Sequence, residues 1–250
     1  MPFLRKIASL EPVSRLRYRF EVLRRMEGVH ERECPLCGHR GMFRAHGLPP
    51  RFDACCPACG SLERHRLLGC YLLDQSESLL AGRRVLHFAP EPCIAQALQS
   101  APLAAYVTAD LHEPAVDEQL NIEKIDKPSN SFDLVLCSHV LEHVDDRQAL
   151  SELHRILSPG GTAILMVPIV EAWTRTYEDE DIRTHREREL HFNQRDHLRF
   201  YGRDFRSRVK ETGFETLSEF TAHGELAARY GLTRGETVFT ARKPGSPVSA

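Results

Sequence analysis

Apolar positions change period twice between Phe132 and Pro168. Phe132–Cys137 is a short, nearly continuous apolar run, the pattern of a strand buried on both faces. Ala149, Leu150, Leu153, Ile156 and Leu157 then recur at helical spacing and predict one apolar stripe, with Asp145 or Asp146 as its cap. Pro159-Gly160-Gly161 is expected to stop that helix, and Thr162–Val167 reads as a second buried strand. Strand, helix and strand make a right-handed crossover unit of a parallel sheet, which sets the class as α/β. The polar set Ser138, His139, Glu142 and His143 falls just past the carboxyl end of the first strand, the edge where open α/β sheets bind ligands.

The flanking pattern extends the sheet. Val85–Ala89 and Tyr106–Ala109 read as earlier strands, Glu215–Phe220 and Thr237–Ala241 as the last two. Ser61 is a candidate cap for a helix running to about Asp74, and Gly213 ends a helix over Asp204–Thr212. Ahead of these, Leu16, Phe20, Leu23 and Met26 sit among Arg15, Arg17, Arg19, Arg24 and Arg25. That is the pattern of an amphipathic helix with a basic face, solvated or open to nucleic acid. A polar insertion, Glu171–Arg195, holds Trp173, Tyr177 and the acidic run Glu178–Asp181. Its charges read as solvated faces, and its place at the ligand edge makes it a candidate lid. Four parts follow: a helical arm (1–33), a cysteine-bearing module (34–60), the α/β domain (61–243) and a Pro/Ser-rich tail (244–250) expected to be disordered.

The cysteines add chemistry. Cys34-Pro-Leu-Cys37-Gly38 and Cys56-Pro-Ala-Cys59-Gly60 form a Cys-x2-Cys-x18-Cys-x2-Cys array, the spacing of a four-thiolate zinc ribbon. Each Cys-x-x-Cys turn aims two sulfurs at one metal, and the following glycine lets the backbone wrap around them. Four thiolates close the tetrahedron, so the expected zinc is structural. Cys56 rather than its neighbour Cys55 has the correct spacing with Cys59, and Cys70, Cys93 and Cys137 read as core fillers.

Composition narrows the setting. A chain of 250 residues, 42% hydrophobic and 27% charged, has room for one large core and a small module. A net charge of −2 argues against wholesale polyanion binding, leaving nucleic acid the lesser candidate partner. No apolar run reaches the ~20 residues that span a bilayer, so no membrane partner is expected. The opening MPFLRKIASL lacks a secretory pattern, so reduced thiols and a cytoplasmic location are expected.

The segment FDLVLCSHVLEHV, followed by Leu153-His154-Arg155-Ile156-Leu157-Ser158-Pro159-Gly160-Gly161, resembles the fourth strand, helix and fifth strand of class I S-adenosylmethionine (SAM)-dependent methyltransferases, type 11-like. The Cys-x-x-Cys ribbon and the turn Leu86-His87-Phe88-Ala89-Pro90-Glu91 resemble those of a bacterial subgroup of that family. The resemblance implies a Rossmann-like, mostly parallel sheet with an antiparallel strand, SAM as cofactor, and Phe88, Ala89, Glu91, Asp110, Asn121, Ile122, Ser138 and His139 around it. Ala89-Pro90-Glu91-Pro92 departs from the family's glycine-rich turn, His87 holds a position usually acidic, and Asn121 replaces an acid. Glu91 is assigned to the ammonium group of SAM, Asp110 to the ribose hydroxyls, and the Asn121 side chain to the adenine amino group. His139, His143, His191 and His197 are the candidate bases, since imidazole titrates near neutral pH. His139 and His197 come first, and Tyr201 is placed beside them. A metal site of His191, Asp196 and His197 is an alternative. The implied activity is methyl transfer to an O or N acceptor on a small metabolite, sugar or natural-product intermediate. RNA modification using the ribbon, or a non-catalytic scaffold, are the alternatives.

Overall fold

The computed structural model describes residues 17, 18, 20, 26, 28–47 and 49–246. The amphipathic basic arm falls mostly outside the described residues, as do residues 247–250 of the tail. No helix among the described residues is long and apolar enough to cross a membrane. The chain forms two compact units.

The larger unit, from Leu67 to Ala222 and again from Gly235, is built on a seven-stranded sheet. Before it in the chain come four short strands, β1 (Glu31–Glu33), β2 (Arg40–Met42), β3 (Arg44–His46) and β4 (Arg51–Cys55). The sheet comprises β5 (Arg84–Phe88), β6 (Ala105–Asp110), β7 (Glu118–Gln119), β8 (Phe132–Ser138), β9 (Leu157–Met166), β12 (Thr216–Thr221) and β13 (Thr237–Arg242). A further pair, β10 (Tyr177–Glu178) with β11 (Arg199–Phe200), lies outside it. The order across the sheet is β7-β6-β5-β8-β9-β13-β12. The pairs from β7 to β9 are parallel, and β13 runs antiparallel to both β9 and β12. The expected mostly parallel sheet with an antiparallel strand is thus the one observed.

β8 carries seven residues, of which only Asp133 is not buried, as its apolar run predicts. The helix Asp146–Ile156 buries Ala149, Leu150, Leu153 and Ile156 against the sheet core, and Asp145 caps it by accepting from the Arg147 and Gln148 N–H groups. A fully buried Leu or Ile contributes about 1.5–3 kcal/mol. A surface pair such as Arg155–Glu152 contributes only ~0.2–0.5 kcal/mol. The apolar stripe therefore decides which face docks.

The expected stop signal does something else. The helix ends at Ile156, Leu157 is already extended, and Pro159-Gly160-Gly161 lies inside β9. There the pairing with β8 jumps from Phe132–Leu157 to Leu134–Thr162, a bulge. A Cβ on Gly161 would stand 2.8 Å from Ser158 O, so a larger residue cannot take the position without displacing backbone.

Beneath the sheet's other end, Asp133 receives Arg84 Nε and Nη2 at 3.0 and 2.9 Å, the Arg84 N–H, and the Ser158 hydroxyl. The Arg84 guanidinium holds its carboxyl well below the usual carboxylate range. A depressed folded pKa gives stability that is complete above the unfolded value, about 3.9, and is lost as pH falls through the folded one. Urea unfolding of Asp133→Asn is therefore expected to show a shallower loss of stability below about pH 4 than wild type. Parallel acid profiles would remove the linkage.

The smaller unit comprises the described residues up to Arg66 together with His223–Arg234. Its β1–β2 and β3–β4 pairs are antiparallel hairpins. The helix Gly224–Tyr230 belongs to it, which sequence order alone did not reveal. Arg66 explains the join. Its guanidinium is fully buried, lies 4.6 Å from the Phe43 ring centroid, and donates to the carbonyls of Ala54, Ser61, Tyr230 and Gly231 at 2.6–2.9 Å.

Candidate functional site

Two knuckles of matching geometry present the four cysteines. Gly38 N donates to Cys34 O and Gly60 N to Cys56 O, each at 2.9 Å. Both glycines have positive φ, 73° and 71°, which the tight turn requires. The Sγ atoms of Cys34 and Cys59 are 3.6 Å apart, those of Cys37 and Cys56 3.7 Å. Zinc–sulfur bonds of about 2.3 Å at tetrahedral angles place sulfurs about 3.8 Å apart, so the four atoms fit the ion. Cys55 stands outside the group, its thiol turned to the carbonyls of Cys56 and Gly60. Ser61 does not cap the following helix. Its hydroxyl lies 3.3 Å from Cys34 Sγ and 3.2 Å from Cys59 Sγ, while His65 Nδ1 accepts from Leu62 N.

The second site is a cavity of about 530 Å³ at the carboxyl ends of β5, β6 and β8. Its walls include Phe88, Ala89, Asp110, Asn121, Ile122 and His139, six of the eight residues expected around SAM. His143, Val140, Val144, Leu120, Arg188 and Asp196 complete much of the rest. The size is that of a small-molecule site.

The turn without glycine still closes. Ala89 adopts φ +48° and donates its N–H to Ala109 O at 2.9 Å. An alanine there costs about 1–2 kcal/mol, which the flanking strand pairing offsets. Glu91 is not on the wall. Its carboxylate accepts from His87 Nε2 at 3.2 Å, and His87 Nδ1 then accepts from Tyr106 at 2.9 Å. The assignment of Glu91 to the ammonium of SAM is corrected accordingly, and His87 is buried in that network. Ser138 is also off the wall, buried at the end of β8.

Asp110 Oδ1 accepts from the N–H groups of His112 and Glu113 at 2.7 and 2.9 Å, so the carboxylate both shapes its turn and reaches the cavity. Asn121 Oδ1 already accepts from Glu123 N, leaving its second lone pair for a ligand.

Of the four histidines, the structure brings His139 and His143 to the wall. His139 has φ +53°, with its N–H fixed to Met166 O at 2.8 Å. Its Nδ1 lies 3.2 Å from Glu142 Oε1. Because a carboxylate only accepts, Nδ1 donates to Glu142, and Nε2 lies 3.7 Å from Glu236 Oε1. His143 Nδ1 lies 3.2 Å from Asp196 Oδ2. His197 is buried behind them, its ring edge-on to His143 at 4.7 Å. Burial lowers its pKa, outweighing the nearby Glu142 charge. His191 is exposed on the helix His185–Phe192 and bonded to Tyr177 at 2.6 Å, so it leaves the set of bases and the alternative metal site. Tyr201 is fully buried, donating to Leu141 O and Asp146 Oδ2, and is a support rather than a rim residue.

That support holds the site rigid. The short 3-10 turn Leu141–His143 follows β8. Arg199 Nη1 donates to the carbonyls of Leu141 and Val144, and Leu198 N donates to Glu142 O. Glu178 of the insertion pairs with Arg199 and Arg208, and Arg208 with buried Asp146. Burial alone would raise the Glu178 pKa, yet the two guanidiniums bring it below the usual carboxylate value. The acidic run is therefore anchored at Glu178 instead of being a wholly solvated face.

A family model described as a methyltransferase domain matches residues 70–219. Methanocaldococcus jannaschii MJ0638 is 49% identical over 47 residues, which span 19% of this chain and 21% of that protein. The ubiquinone/menaquinone biosynthesis C-methyltransferase UbiE of Escherichia coli is 29% identical over 122 residues, 47% of this chain and 48% of UbiE. The match thus spans about half of UbiE and about a fifth of MJ0638. Among solved structures, a chain of the complex between the Haloferax volcanii Trm112 methyltransferase activator and a methyltransferase superposes with TM-score 0.53 at 16% identity, over 72% of this chain and 91% of that one. Haemonchus contortus phosphoethanolamine N-methyltransferase 2, solved with S-adenosyl-L-methionine, gives 0.50 at 16% identity, over 72% and 52%. At these identities the likeness is one of fold.

Proposed function

This chain belongs to the methyltransferase-domain family, and we propose that it transfers a methyl group from SAM to an oxygen or nitrogen of a small molecule. The cavity at the carboxyl ends of β5, β6 and β8 carries the reading, because six residues assigned to SAM from the sequence converge on it. Bound there, SAM supplies a methyl group made electrophilic by its sulfonium. Asp110 holds the ribose hydroxyls, Leu120, Ile122, Val140 and Val144 enclose the flat base, and Ala89 lets the backbone approach the amino-acid end. His139 takes the acceptor's proton on Nε2, while Glu142 fixes its tautomer. His143, with Asp196 behind it, positions the acceptor. The four-cysteine module holds a structural zinc.

A built cavity with an oriented imidazole supports an enzyme over a scaffold with a degenerate pocket. The acceptor is a metabolite, sugar or natural-product intermediate small enough to share about 530 Å³ with the cofactor's reactive end.

Asp110→Asn tests the cofactor assignment. It keeps the oxygen that the turn uses and removes the charge. Each charge-assisted hydrogen bond contributes about 1.5–3 kcal/mol, so calorimetry is expected to show S-adenosylhomocysteine binding weakened about 10- to 100-fold at unchanged melting temperature. Unaltered affinity would move the ribose elsewhere.

A further inference from the structure

We propose that Glu142, His143 and His197 form a second metal site, for a divalent first-row transition ion, at the His143 wall of the cavity. Each residue brings one ligand atom to within 4.8 Å of the other two. Two histidines and one carboxylate are a donor set for Zn²⁺, Mn²⁺, Co²⁺ or Fe²⁺ that leaves coordination positions open.

Three observations point to an ion rather than to a satisfied polar cluster. Glu142 is 1% exposed, and its Oε2 has no hydrogen-bond partner among the described residues. His197 is 5% exposed, and its Nδ1 is equally without one. Burying such atoms unpaired is costly, and an ion that draws them together removes the cost. Third, Asp196 Oδ2 lies 3.2 Å from His143 Nδ1, so a carboxylate faces one ring nitrogen of His143 and the other is open to the ion. This is the carboxylate–histidine–metal arrangement that orients a ligating imidazole. Glu142 divides its carboxylate, Oε1 to His139 and Oε2 toward the ion.

The segments bearing the ligands are braced for this. Glu142 and His143 sit on the 3-10 turn whose carbonyls are held by Leu198, Arg199 and Tyr201. His197 immediately precedes those residues, so the turn and the His197 strand-end keep one register.

The proposal rests on the methyl-transfer reading only for what the ion does. An acceptor hydroxyl bound at an open position loses its proton to His139 Nε2. Its oxygen lone pair then forms the new C–O bond as the S–C bond breaks, with that bond's electrons going to sulfur. The acceptor class is thereby narrowed to molecules with a hydroxyl oxygen able to ligate the ion.

Metal stoichiometry tests the site directly. The chain is produced in medium where Co²⁺ replaces zinc, dialysed against Co²⁺ and analysed for metal and absorbance. Two ions per chain are expected: one with the intense sulfur charge-transfer bands of a tetrathiolate, one with only weak visible bands. His197→Gln should lose the second ion and retain the first. Asp196→Asn, on an exposed side chain, should fold normally and weaken the second site about 10- to 100-fold. One ion per chain in wild type, with an all-thiolate spectrum, overturns the proposal whatever the variants do. Calorimetry with S-adenosylhomocysteine on the same samples separates the two readings. Two ions without nucleoside binding keeps the metal site and removes the methyl-transfer reading, and the reverse removes only the metal site.

Discussion

Cys34→Ser combined with Cys59→Ser is expected to abolish zinc binding at the proposed ribbon and to unfold the smaller unit. The expectation follows from magnitudes. A structural zinc contributes about 10–16 kcal/mol of apparent binding free energy that is also folding free energy. A whole domain is stable by only about 5–15 kcal/mol. Among the described residues of this unit, the apolar cluster at the cysteines is small, centred on Cys34, Phe43 and Cys56, so it is not expected to replace the ion. Arg66 sharpens the effect. Its buried guanidinium donates to four carbonyl oxygens, and the charges that compensate it are Glu63 first and then the cysteine thiolates. Removing the Cys34 thiolate leaves the buried cation with less compensation. Elemental analysis with limited proteolysis over residues 28–66 measures the outcome: zinc lost and the segment cleaved. A folded, protease-resistant unit without zinc would show that the cysteines are core residues.

His139→Asn is expected to lower turnover about 10²- to 10⁴-fold, the range for loss of a general base, while S-adenosylhomocysteine affinity stays within about threefold. Asparagine suits the position. It tolerates the left-handed conformation that His139 occupies at φ +53°. It can also still donate to Glu142 Oε1, so the buried carboxylate keeps a partner. What it cannot do is accept a proton near neutral pH. His139→Ala is the weaker test, since it combines loss of the base with backbone strain and an unpaired Glu142. The readout is S-adenosylhomocysteine release with a hydroxylated acceptor found by screening against wild type. Unchanged turnover with Asn would remove His139 from the role of base.

The fold was readable because its signals are local and repeated. The continuous apolar run of Phe132–Cys137 and the stripe of Ala149, Leu150, Leu153 and Ile156 can satisfy only a buried strand and a docked helix. The Cys-x-x-Cys-Gly repeat was equally plain, since each knuckle closes within five residues. Pro159-Gly160-Gly161 was misread as a helix stop because a bulge and a turn use the same residue types, and only the β8 pairing distinguishes them.

The site was less legible, for physical reasons that differ by residue. Asp110 and His139 follow strands directly, so the strand places them at the wall. Glu91 was misassigned because its partner, His87, is four residues back on the preceding strand and turns the carboxylate inward. His191 and His197 stand six residues apart in sequence, yet the helix end at Asn193, at φ +60°, sends them in different directions. The pairing of Asp196 with His143 and the grouping of Glu142 with His197 join segments more than 50 residues apart. No spacing rule carries that information. The polar character of Ser138-His139…Glu142-His143 was the available signal for the first half of the group, and the second half needed the fold.

The most direct test is a crystal structure of the full chain with S-adenosylhomocysteine. The ribose hydroxyls are expected on Asp110, the base between Ile122 and Val140, and the sulfur directed toward His139 Nε2. A cavity empty at saturating ligand, or a nucleoside bound away from Asp110 and His139, would contradict the assignment of this edge of the sheet as a methyl-transfer site.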